Sequence, residues 1–166
     1  FSSPIGIHYA LNTDPGKVAF LFPGQGSQSL DMGADAAMTW PQCMQAWELA
    51  ADENMDETLQ LQDVVFPRPV FEKSDADAQL QRLTSTEWTQ PALATASLAL
   101  HELLTSLNIQ PDCVGGHSLG EVTALYAAGV LDAKSLLKVA RKRGELMKEA
   151  SATPGAMIAA VADIDT

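Results

Sequence analysis

The stretch Gly116-His117-Ser118-Leu119-Gly120-Glu121 constrains this chain more than any other. It carries G-x-S-x-G, the spacing of a nucleophile elbow, in which a strand turns sharply into a helix. Pro111-Asp112-Cys113-Val114-Gly115 precedes it, a short apolar run that suits a buried strand, with Cys113 as a buried thiol. The residues from Val122 to Ala128 suit a helix. Gly116 and Gly120 remove the Cβ atoms that would clash at so tight a turn. Ser118 would then project its hydroxyl into a cleft at the positive end of a helix dipole, where backbone N–H groups meet an oxyanion. The same residues also read S-x-x-E, a capping box with Glu121 as the cap partner. The pentapeptide alone does not separate a cap from a nucleophile, and one serine can be both.

The chain has 166 residues, enough for one domain with a core. Apolar residues make up 46%, in the globular range, with no run long enough to span a bilayer. There is no initiator Met and no signal-peptide pattern at Phe1, so the chain reads as a segment of something larger. Two cysteines, Cys43 and Cys113, form neither a disulfide framework nor a metal-ligand spacing, so no metal is expected and a reducing cytoplasm is the default location. The net charge of −11 argues against nucleic acid as a partner. It leaves room for an acidic substrate, because a local arginine dominates the field within one pocket.

Residues 1–16 are polar, end in Asp14-Pro15-Gly16 and read as a linker or lead-in. Lys17 to Phe22 predicts a strand apolar enough to be buried on both faces. The glycine-punctuated loop Pro23-Gly24-Gln25-Gly26-Ser27-Gln28 follows directly. A helical region is expected over about 31–52, with Trp47 in the core and Trp40 near a helix start. The polar stretch 53–88 predicts short helices around 56–63 and 75–82, broken at Pro67 and Pro69. Gln90-Pro91 opens a long helix to about Leu107, with Pro91 in its first turn and Ala92, Ala96, Ala99 and Leu103 on its apolar face. Gly129 ends the helix after the elbow, and Asp132 caps another over about 133–150, whose apolar positions are Leu136, Leu137, Ala140, Leu146 and Met147. Ala156 to Val161 is a last strand candidate. Strands alternating with long helices argue an α/β fold with a largely parallel sheet.

Taken together, five blocks in order resemble the malonyl-CoA:acyl carrier protein transacylase family, which includes the acyltransferase domains of fatty acid, polyketide and polyunsaturated fatty acid synthases. The blocks are Phe20 to Gln28, Thr89 to Leu93, Gly116 to Glu121, Arg143 to Met147 and Gly155 to Met157. The resemblance implies a hydrolase-like α/β core over 17–154 and the start of a ferredoxin-like subdomain over 155–166. It implies a transfer in two steps, in which Ser118 takes the acyl group from a coenzyme A thioester and passes it to the phosphopantetheine thiol of an acyl carrier protein. The chain itself then binds no cofactor; its partners are the acyl-CoA, the carrier protein and the remainder of the domain or synthase. By the same resemblance the backbone N–H groups of Gln25 and Leu119 form the oxyanion hole, Gln90 lines the site, and Arg143 pairs with the free carboxylate of a malonyl-type substrate. His117 is expected to line the pocket.

A serine nucleophile needs a base. His8 lies in the lead-in, His101 on the long helix reads as structural or exposed, and His117 should point away from its neighbour Ser118. The family's base is a histidine well downstream, and the chain ends at Thr166 before any such position. The segment alone is therefore expected to be a poor transferase that a second segment would restore. Two other readings stay open: a serine esterase or thioesterase of α/β-hydrolase type, and a non-catalytic structural piece of a megasynthase. The Gln25 loop stands where an esterase would carry an HGGG-type loop.

Overall fold

Two parallel strands carry the elbow. The computed structural model describes residues 16–52, 59–151 and 155. In it β1 (Ala19–Phe22) pairs with β2 (Cys113–Gly116), in register from Ala19 opposite Cys113 to Phe22 opposite Gly116. Parallel strands need a long crossover, and here five helices supply it: α1 (Ala34–Thr39), α2 (Pro41–Asp52), α3 (Leu61–Val65), α4 (Lys73–Thr84) and α5 (Thr86–Ser106). After β2 come α6 (Leu119–Ala127) and α7 (Ala133–Ala150). The expected alternation of strands and helices is present as a mostly helical α/β arrangement with a two-stranded parallel sheet among the described residues. The lead-in before Gly16 and the strand expected over 156–161 lie outside the described residues.

The sheet is less buried than the apolar runs predict. Side chains alternate along a strand, so Phe20 and Phe22 fall on one side, where their rings meet the His101 imidazole at centroid distances of 6.0 and 6.4 Å. Leu21 falls on the other and is 79% exposed, which corrects the expectation of a strand covered on both faces. No helix of the described residues closes over that side chain. Cys113, at the first position of β2, is exposed rather than buried for the same reason: the short strand begins at the surface, where Asp112 fixes the Val18 N–H at 2.7 Å. Cys43 is the buried thiol instead, donating to the Ala99 carbonyl, and burial pushes its pKa up.

Helix α5 is the hub, packed against α2 on one side and α7 on another. Its Ala92, Ala94 and Ala99 are buried, and small side chains bring neighbouring helices close. Trp47, Leu61, Leu83, Leu98, Leu119 and Leu136 are the large side chains almost wholly removed from water. Each such leucine contributes roughly 1.5–3 kcal/mol of transfer free energy.

Two helix boundaries differ from the sequence expectation, each at a proline, and one helix differs in what it buries. The region 31–52 divides into α1 and α2 at Trp40, whose extended backbone (φ −119°, ψ 120°) is what Pro41 imposes on the residue before it. Trp40 is consequently exposed, whereas Trp47 is core. Helix α5 starts at Thr86, so Pro91 sits inside it rather than in its first turn. The missing Pro91 N–H removes one ladder bond, and the turn before it is held by Trp88 and Thr89 N–H groups donating to Ser85. In α7, Asp132 caps as expected, accepting from Ser135 N–H at 2.6 Å, and Leu136, Leu137 and Ala140 are buried. Leu146 and Met147, expected on that apolar face, are instead 50% and 38% exposed, as is Val139 of the same helix at 40%.

Candidate active site

Ser118 has φ 55° and ψ −108°, outside the wells that L-residues occupy freely. Such a backbone persists only where its surroundings hold it. They do so here through close approach. A Cβ on Gly116 would lie 2.0 Å from the Gly120 carbonyl carbon, and one on Gly120 would lie 2.0 Å from the Phe22 carbonyl oxygen. Only glycine at both positions lets α6 start directly against β1. The Ser118 N–H donates to the Glu121 carboxylate at 3.1 Å, so the cap and the strained elbow coexist, as the dual reading of the motif requires.

The loop after β1 lies over this turn. A Cβ on Gly24 would meet the His117 carbonyl at 2.6 Å and the Ser118 Cβ at 3.3 Å. Gln25 is the next residue, and its side-chain amide reaches Thr86 Oγ1 at 3.4 Å. Among the described residues, neither the Gln25 nor the Leu119 backbone N–H has a hydrogen-bond partner. Leu119 N–H stands at the first position of α6, where the helix itself offers no acceptor.

Arg143 joins the distant pieces. From the middle of α7, its Nη2 donates to Ser118 Oγ at 3.1 Å and its Nη1 to Gln90 Oε1 at 2.6 Å. Gln90 is fully buried and donates in turn to the Met147 sulfur at 3.0 Å. The guanidinium has five N–H groups in a plane; two are used, and the remainder can take an anion beside the serine. Gln90, Ser118 and Arg143 are thus brought into one chain of hydrogen bonds, with Gln25 and Leu119 adjoining it.

The two histidines among the described residues stand apart from this chain of hydrogen bonds. His101 is a structural residue. Its ring sits among Phe20, Phe22 and Tyr126, with Nδ1 3.3 Å from Glu102. His117 is exposed, with its ring against Gly24. Neither is hydrogen-bonded to Ser118. Among the described residues there is no His/Cys/Asp/Glu cluster suited to a metal and no helix long and apolar enough to cross a membrane.

Sequence reasoning did not anticipate Thr86, Glu87 and Lys148 as neighbours of the site. Lys148, the residue after Met147 on α7, donates at 2.6 Å to Glu87, which lies one turn before Gln90 on α5. Spacing carries a signal for it: Glu87 and Gln90 lie three apart on α5, and Gly144 and Lys148 lie four apart on α7, so each pair shares a face.

Residues 19–166 match the family model described as the acyl transferase domain. The chain is 40% identical over 151 residues to a malonyl CoA-acyl carrier protein transacylase of Bacillus subtilis (strain 168), covering 90% of this chain and 43% of that protein. It is 36% identical over 155 residues to a polyunsaturated fatty acid synthase of a Thraustochytrium species, covering 88% of this chain and 5% of that much longer protein. A solved structure of a malonyl-transacylase in complex with its type II polyketide acyl-carrier protein superposes with a TM-score of 0.68 at 37% identity, over 81% of this chain and 40% of that one. The chain therefore spans less than half the length of these relatives. With the elbow, the loop over it and the family match in agreement, the chain belongs to the acyl transferase domain family.

Proposed function

We propose that these residues carry the nucleophile half of an acyltransferase that moves a malonyl or related group from coenzyme A to the phosphopantetheine thiol of an acyl carrier protein. In this reading 17–154 belong to the α/β core of the domain and 155–166 open its small subdomain. The observation that supports it is the Arg143 guanidinium at 3.1 Å from Ser118 Oγ, anchored by the buried Gln90. A fixed fork beside a nucleophile suits an acyl group that ends in a carboxylate. Ser118 Oγ attacks the thioester carbonyl, and the Leu119 and Gln25 N–H groups receive the charge that develops on its oxygen. The carbon–sulfur bond breaks, coenzyme A leaves as the thiol, and the acyl group stays on Oγ. The pantetheine thiol then attacks the ester and restores the serine. The proton of Ser118 goes to a base other than His101 and His117, the role that the family resemblance gives to a histidine downstream of the serine.

The test is intact-protein mass after incubation with malonyl-CoA, for the chain and for Ser118→Ala. One malonyl group on the wild type alone identifies Ser118 as nucleophile. If neither is labelled, adding the downstream part of the domain must restore labelling; failure there sinks the transferase reading. Release of free malonate to water, in place of transfer to a carrier thiol, would favour the esterase reading.

A further inference from the structure

Four contacts form a ladder between the start of α5 and the end of α7, and only its last rung touches Ser118. At the outer end Lys148 Nζ donates to Glu87 Oε1 at 2.6 Å. Next, a Cβ on Gly144 would lie 2.7 Å from the Thr86 carbonyl oxygen and 2.9 Å from the Glu87 Cα, so the two backbones touch there. One turn further in, Gln90 donates to Met147 and accepts from Arg143. The last rung is Arg143 on Ser118.

A glycine contact fixes how near two helices come, but a smooth contact resists rotation and sliding poorly. The ion pair supplies that resistance. Its carboxylate side chain is only 17% exposed, its second oxygen is buried without a partner, and its ammonium is 62% exposed. An exposed lysine head adds little to stability, so the pair's consequence lies in geometry. It pins α7 five residues beyond Arg143, and a small shift of α7 about the Gly144 contact would carry the guanidinium off Ser118.

We infer that Glu87 and Lys148 are positioning residues, a clamp that sets the Arg143 fork on the Ser118 hydroxyl and so sets the preference for acyl groups bearing a carboxylate. This rests on the acyltransferase reading above. The clamp acts through Arg143 and touches neither substrate nor nucleophile.

The experiment compares loading from malonyl-CoA and acetyl-CoA, which present the same thioester with and without a carboxylate, in the protein at the length at which it loads. Lys148→Met and Glu87→Gln should lower kcat/KM for malonyl loading by about tenfold, the scale of a sub-ångström misplacement, and leave acetyl loading within about twofold. Lys148→Arg should keep the wild-type ratio. Equal losses with both substrates, or no loss with either, overturn the clamp. Arg143→Ala is run beside them. If it collapses the malonyl-to-acetyl ratio while Lys148→Met and Glu87→Gln do not, the clamp alone fails. If Arg143→Ala leaves the ratio intact, the carboxylate role of Arg143 fails and the clamp falls with it. Glu87→Gln preserves shape at this half-buried position, so it reads the geometry even if Lys148→Met perturbs folding.

Discussion

The Arg143 guanidinium donates to the Ser118 hydroxyl at 3.1 Å, tying the middle of α7 to the residue that caps α6. A cation held on a serine oxygen lowers the cost of charge there and leaves N–H groups free for an acidic acyl chain. Arg143→Ala should therefore reduce malonyl loading by about 10- to 100-fold, the worth of a hydrogen bond to a charged group, with a smaller loss for acetyl. Single-turnover labelling with the two thioesters measures it. Equal losses would mean that Arg143 acts on the Ser118 oxygen or the fold and not on the acyl carboxylate.

Gly144→Ala tests how tightly α7 must lie on α5. The added methyl would sit 2.7 Å from the backbone oxygen of Thr86, which has no flexible end to swing away. Overpacking of this kind costs about 1–3 kcal/mol. The urea midpoint should fall accordingly at unchanged slope, and an unchanged midpoint would show that the helices separate at no cost.

Tyr126 gives the chain an alkaline limit. Burial, and then the Glu102 carboxylate that accepts its O–H, hold the phenol above its ordinary range. A raised folded pKa means stability that is full below the unfolded value of about 10 and lost as pH rises beyond it. Thermal midpoints should decline above about pH 10 in the wild type and decline less in Tyr126→Phe. That variant should also lose roughly 0.5–1.5 kcal/mol at neutral pH, because Glu102 gives up a donor.

Acid should loosen the α5–α7 contact. Burial raises the Glu87 carboxyl pKa, but the Lys148 ammonium that donates to it outweighs burial and holds it below its ordinary value. Hydrogen bonds hold Asp132 low at the α7 cap, and Arg141 holds Glu145 low on the same helix. A depressed folded pKa gives stability that is present above the unfolded value and lost as pH falls through the folded one. Thermal midpoints should thus be flat down to the ordinary carboxylate range and drop below it. Lys148→Met should flatten that drop; if it does not, the pair contributes nothing to the acid response.

Local pattern was enough for the parts of this protein whose reasons are local. G-x-S-x-G with its flanking runs determined the strand, turn and helix around Ser118, because two glycines are what so close a turn needs. Asp132 determined the start of α7, and Gly129 ended α6, since a cap bonds within its own few residues. The family's motif blocks pointed to Gln90 and Arg143. Burial was not legible in the same way. Leu21, Cys113, Leu146 and Met147 are as apolar as core residues, yet their exposure depends on what packs over them, and sequence period cannot say that. Nor could spacing alone bring Arg143 onto Ser118, or Lys148 onto Glu87. Those contacts exist because Gly144 lets α7 lie against the backbone of Thr86 and Glu87, and the distance between helices is a property of the packed chain.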